Sequence, residues 1–229
     1  MIFPYEYVNP TLHDTLSDGW STFDLNGIPE VLFVAMVKIT QIHAASSNVE
    51  VQARLSEVKG MLKEWKNEDN AFGTDHTLKT TDATDRYYLA ETYRSGILLY
   101  LAQTFPTTAE RSIEAVPLAN MTISHITCIN SETTIRKQIF LPLFLAGAEV
   151  SLPESRDFCR KYCLFFGGRR GYKDLENSCG YGMFADAGEM LEEIWAGRDS
   201  RQDETFWWGD AVDRNTTDQN GVESQFLFG

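Results

Sequence analysis

Positive charge is scarce in this chain. Against 33 aspartates and glutamates stand only 20 lysines and arginines, a formal net charge of −13 at pH 7. Nucleic-acid backbones are held by lysine and arginine neutralising phosphates, so this balance disfavours direct nucleic-acid binding. An anionic membrane surface would repel it as well. Cysteine is scarce too: Cys128, Cys159, Cys163 and Cys179. No CxxC occurs, and the spacings fit no disulfide framework. Cys159 and Cys163 share a helix face at i and i+4, but two thiols without His or Cys partners do not make a zinc site. Buried, inert thiols are the favoured reading for all four. No apolar run approaches the roughly 20 residues of a spanning helix. The start, MIFPYEY, has no basic region and is interrupted by Pro4 and Glu6, so no secretory signal is expected. The sequons at Asn120 and Asn215 then carry no weight, and a reducing compartment, cytosol or nucleus, is expected. There is no GxSxG elbow, no phosphate-binding glycine loop and no alternating segment of any length.

What the chain does have is helical periodicity. The strongest segment is Ile135 to Val150, IRKQIFLPLFLAGAEV. Leu141, Phe144, Leu145 and Ala148 form one stripe; Ile139, Leu143, Ala146 and Val150 form a second. A helix apolar on both stripes has no face for water and belongs in a core. The fold expected is therefore all-α: a single multi-helix, bundle-like or orthogonal domain around a buried central helix at about 135–150.

Other helices follow in order. Residues 1–26 are irregular and aromatic, with Phe3, Tyr5, Tyr7, Trp20 and Phe23. Pro29 opens a helix at its first turn, with Ile28, Val31, Leu32, Ala35, Ile39 and Ile42 as its stripe and His43 near its end. Asn48 caps the next, whose seam is Val51, Leu55, Val58, Leu62 and Trp65. Residues 66–84 are polar and turn-rich and read as a flexible connection. Asp82 or Asp85 caps a helix to Phe105, and Pro106 stops it. Residues 109–130 give a helix broken or kinked near Pro117, its face Ile113, Val116, Ile123, Ile126 and Ile129, with His125 and Cys128 as buried filler. After the central segment, Pro153 opens a helix packing Phe158, Tyr162 and Phe165. Tyr181 to Trp195 is the last long helix, ended by Gly197. Phe206, Trp207 and Trp208 dock a short element, residues 214–229 form a polar tail, and its terminal FLFG is apolar enough to tuck back.

Chemistry is thin. Asp82 and Asp85 make a lone DxxD, for which helix capping is the commoner role than Mg²⁺ binding. Arg160, Lys161, Arg169, Arg170 and Lys173 are the only basic cluster, read as a solvated loop. Candidate pocket residues are Arg94, Tyr100, Glu149, Arg156 and Trp195. They would line an internal cavity if the protein bound or transformed a small apolar metabolite; the blander reading is that the charged ones pair with each other or cap helices. No catalytic residue and no cofactor or metal ligand is assigned.

The order of motifs resembles a known family. Gly27-Ile28-Pro29 opens a helix, and Ala90-Glu91-Thr92-Tyr93-Arg94 runs into Ile97-Leu98-Leu99-Tyr100-Leu101. Leu141-Pro142-Leu143-Phe144-Leu145-Ala146-Gly147 precedes Glu149 and Arg156, and Met190-Leu191-Glu192-Glu193-Ile194-Trp195 and Trp207-Trp208 come late. Over about residues 27–213 this is similar to the C-terminal regulatory domain of fungal zinc-cluster (Zn2Cys6) transcription factors. The resemblance implies an all-helical domain, a nuclear protein and a role in transcriptional control, without DNA binding of its own. Its partners would be the transcription machinery, a second copy or a small-molecule effector. Four cysteines cannot build the family's six-cysteine cluster, so zinc is expected only in a cluster outside these residues, whether the chain is part of a longer protein or a reduced homologue.

Overall fold

The computed structural model describes residues 28–43, 47–66, 80–105, 111–167 and 182–200. Among them lie seven α helices, one 3-10 helix and no strand: α1 (Glu30–His43), α2 (Asn48–Glu64), α3 (Thr80–Thr104), α4 (Arg111–Cys128), the 3-10 helix (Thr134–Ile139), α5 (Phe140–Glu149), α6 (Pro153–Gly167) and α7 (Gly182–Ser200). The fold is all-α, as the periodicity predicts. No described helix is long and apolar enough to cross a membrane.

Helices pair as α1 with α2, α3 with α4 and α6 with α7, and the last two pairs pack against α5. The α1–α2 pair leans on α3, and the α6–α7 pair leans on α5. Helix α5 is buried from Pro142 to Ala148, with Phe144 at 1 % exposure. Each such large apolar side chain removed from water contributes on the order of 1.5–3 kcal/mol. The central element is shorter than 135–150, because its first part is wound as 3-10 helix. Pro142 sits in the first turn of α5, where its missing N–H costs little.

A second helix shares the centre. Helix α3 is buried on nearly every side between Leu89 and Gln103, including Thr92, Ser95 and Gln103. It touches α1, α2, α4 and α5, so it has almost no solvent face over that stretch. The two central helices meet at Gly96 of α3, where a Cβ would lie 2.8 Å from Pro142 Cβ. Glycine is required there by backbone proximity.

Several local expectations shift. Pro29 precedes α1 rather than opening it, and its carbonyl accepts from Leu32 and Phe33 N–H. Ser47, not Asn48, caps α2, accepting from Glu50 N at 3.2 Å. Helix α3 begins at Thr80, so Asp85 lies inside it; it is buried, and its carboxylate accepts from Asn130 N at 2.8 Å, beyond the end of α4. Helix α4 runs through Pro117 as one element, and its buried stripe is Ala115, Ala119, Thr122, Ile123 and Ile126, leaving Val116 exposed. Cys128 is exposed and His125 half-buried, so neither is core filler. In α6 the stripe is Cys159, Tyr162, Cys163 and Phe166, and Phe165 faces water. Gly197 does not stop α7, which continues to Ser200. The differences in helix ends and in the α6 stripe are local, shifts of one to five residues within helices that the periodicity places correctly. Expectations for residues 1–26, the loop up to 79, the side chains of His43, Asp82 and Ile113, Arg169, Arg170, Lys173 and Cys179, and everything after Ser200 lie outside the described residues.

Candidate functional site

Three of the five candidate pocket residues converge where α5 ends. Its last turn exposes carbonyls that lack intrahelical partners, and the helix dipole makes that end negative. Trp195 of α7 donates its indole N–H to Gly147 O at 2.8 Å in a buried setting. Gly147 also lets α6 and α7 approach α5 closely: a Cβ there would press on the Leu191 methyls at 3.0 and 3.1 Å and on Cys159 Sγ at 3.3 Å. Arg156, near the start of α6, donates from Nε to Val150 O at 3.3 Å. Its two terminal nitrogens grip Asp199 at 2.6 and 2.8 Å, a bidentate fork. The Arg156 and Arg160 guanidiniums lie 5.5 and 5.3 Å from the Trp195 ring centre, within cation–π range. Arg160 also pairs with Glu192, and that bond raises its pKa.

Glu149 closes the junction. One carboxylate oxygen accepts from Gln103 at 3.0 Å and the other from Arg198 at 3.2 Å. A carboxylate at a helix C-terminus opposes the dipole; Arg198 offsets it. Glu149, Gln103 and Arg198 therefore tie α5, α3 and α7 together at one point.

The other two candidates sit elsewhere. Arg94 donates to Leu62 O at 2.9 Å, capping the end of α2, and pairs with Glu91 at 3.2 Å. Tyr100 is buried on α3, where burial raises its hydroxyl pKa. The structure thus brings together Glu149, Arg156 and Trp195 but not Arg94 or Tyr100. Gln103, Arg160, Arg198 and Asp199 belong to the junction and carry no local sequence signal, because their partners are more than 30 residues away.

A common pattern emerges. Tyr93 donates to Gln138 O, Arg94 to Leu62 O, Arg156 to Val150 O, Tyr162 to Arg136 O and Trp195 to Gly147 O. Each of these polar side chains satisfies a backbone carbonyl, four of them on a different helix or the 3-10 segment. These five side chains thus join elements of the fold.

Among the described residues no group of three His, Cys, Asp or Glu side chains is placed to hold an ion. Cys159 and Cys163 are buried, and burial pushes both thiols up to about 12, whereas zinc takes thiolates. Four cysteines in the whole sequence do not fit a six-cysteine cluster.

Comparison with known proteins gives one match. The family model described as "Fungal specific transcription factor domain" fits residues 1–220, wider on both sides than the 27–213 span over which the motifs are similar. No curated protein and no solved structure matches the chain. The motif segments that carry the likeness are those that hold the helices together: the α5 run, the α3 run through Tyr93 and Arg94, and the α7 run ending at Trp195. With the match covering nearly its full length, the chain belongs to the fungal specific transcription factor domain family and so has a regulatory role in a transcription factor.

Proposed function

We propose that the chain is the regulatory domain of a zinc-cluster-type transcription factor, acting in the nucleus through protein–protein contacts on a DNA-binding unit that lies outside these residues. The observation that carries this is the family match over residues 1–220. Two physical features support it. The net charge of −13 is unsuited to holding phosphates directly. The convergent polar residues Glu149, Arg156 and Trp195 are engaged in bracing helices, so the exposed faces are left for partner recognition.

The test has two arms. The chain alone, in a gel-shift assay with a random-sequence DNA pool, gives no sequence-specific complex. Fused to an unrelated DNA-binding domain, it changes transcription of a reporter carrying that domain's site. A specific shift by the chain alone, or a reporter that ignores a stably expressed fusion, would overturn the reading.

A further inference from the structure

The helix pair α3–α4 holds a titratable side chain that its neighbours satisfy only in part. His125 lies in the last turn of α4. Its Nδ1 is buried and has no hydrogen-bond partner among the described residues. The ring packs on Tyr88 of α3, with centroids 6.3 Å apart and planes tilted by 38°. It donates a hydrogen bond to the Glu91 backbone of α3, and the Glu91 carboxylate and Arg94 guanidinium lie close by. Glu91 is itself paired with Arg94 at 3.2 Å. On α4, Cys128 follows three residues later. The charge on its sulfur, and then the hydrogen bond that the Tyr88 hydroxyl donates to it, raise the Tyr88 pKa. Helix α5 also packs on α4; its one titratable group is Glu149, whose carboxylate is taken by Gln103 and Arg198.

Two sets of forces act on this imidazole. Its place favours a cation, because the last turn of a helix presents partial negative charge and the Glu91 carboxylate and backbone add to it. Burial opposes a cation, and so does Arg94. Burial is the largest of these effects, so the folded chain holds the His125 pKa below its ordinary value. A proton on Nδ1 would add a donor where no acceptor stands. The balance reverses once the ring reaches water. Burial then no longer opposes the charge, while the helix end and Glu91 still attract it.

We propose that His125 is an acid-sensitive latch between α3 and α4. Neutral, the ring seats on Tyr88 and closes the end of the pair. Protonated, it leaves that seat for water, and the last turn of α4, from His125 to Cys128, loosens from α3. Linkage sets the sign. An unfolded histidine takes its proton at about 6.5, and the folded one only below that. The stabilisation is complete above a pH of about 6.5 and is lost as pH falls through the lower folded value. The latch does not depend on the transcriptional reading.

Urea denaturation of the full chain at pH 7.5 and 5.5, parent against His125→Gln, tests the latch. Glutamine keeps a donor in place of the ring and takes up no proton. The other three histidines and all the carboxylates are common to both proteins, so their contributions cancel. Acidification should raise the parent's unfolding constant at least twofold more than the variant's; equal slopes overturn the proposal. Two measurements on the parent alone stand even where the variant fails to fold. The His125 imidazole resonances should titrate below about 6.5 in the folded chain, and a midpoint at or above that value overturns the latch. Hydrogen exchange of a peptide covering 123–128, corrected for the intrinsic rate, should lose protection at least threefold relative to 143–148 between pH 7.5 and 5.5. An unchanged ratio overturns it as well.

Discussion

Gly96→Ala exposes the central crossing to a direct energetic test. Two effects oppose each other. Replacing glycine by alanine inside a helix favours folding by about 1 kcal/mol. At Gly96 the new Cβ would stand 2.8 Å from Pro142 Cβ and 3.3 Å from Pro142 Cα. Neither atom can rotate away, since one is in a ring and the other in the backbone, so α3 and α5 must separate. Overpacking of this kind costs about 1–3 kcal/mol, and rigid neighbours put Gly96 in the upper half of that range. The net effect is a loss of about 1–2 kcal/mol, which lowers Tm by roughly 3–6 °C for a domain of this size. Gly60→Ala is the control. It receives the same helix gain with nothing within 4 Å, so it should raise stability by about 0.5–1 kcal/mol. Urea denaturation of both variants against the parent gives the two signs. A Gly96→Ala protein as stable as the parent would refute the α3–α5 contact as described.

Four further outcomes follow from the burial of particular side chains. Trp195→Phe keeps an aromatic side chain but loses the pyrrole ring with the donor to Gly147 O, and should cost at least about 1–3 kcal/mol in urea denaturation, the penalty for an unpaired buried carbonyl. Asp85→Ala strips the acceptor from Asn130 N and should cost about 1.5–3 kcal/mol, while Asp85→Asn retains an acceptor and loses clearly less, both read from thermal melts. At pH 8 a thiol reagent should modify Cys128 quickly and Cys159 and Cys163 only on unfolding, assigned by mass spectrometry. The folded thiols at 159 and 163 titrate near 12, above the free-thiol value of about 8.5. Between those values the unfolded chain sheds protons the folded chain keeps, so stability falls as pH rises through that window; loss of this alkaline slope is expected in Cys159→Ala/Cys163→Ala.

How much of this was legible beforehand depends on whether the cause is local. Stripes such as Leu55, Val58 and Leu62, or Phe144, Leu145 and Ala148, follow from one helix repeating its apolar side, and all of these residues are buried. The Ser47 cap was also legible: Ser47 followed by Glu50 three residues later is a capping signature that Asn48 does not offer. The choice between Phe165 and Phe166 was open locally, since adjacent residues point about 100° apart; the stripe through Cys159 and Cys163 settles it only once α7 is in place. Gly197 looked like a stop, yet its cost is small beside the buried Ile194 and Trp195 before it and the Arg198 and Asp199 contacts after it. Asp85 looked like a cap because helix propensity does not reveal that α3 starts at Thr80. Of the candidate site, Glu149 and Arg156 stood out for their place just after the apolar run, and Trp195 as an aromatic on the apolar stripe of its own helix. Gln103, Arg198 and Asp199 did not, because contacts spanning 43 to 49 residues leave no periodic trace.

The architecture rests on α5 lying inside the molecule with α3 across it. Native-state hydrogen exchange followed by mass spectrometry measures this directly, since amides that open only on global unfolding exchange last. Peptides covering Leu143 to Ala148 and Leu89 to Gln103 should be the slowest in the protein, well behind those of the more exposed α2. Exchange at 143–148 as fast as in α2 would contradict a buried central helix and the architecture built around it.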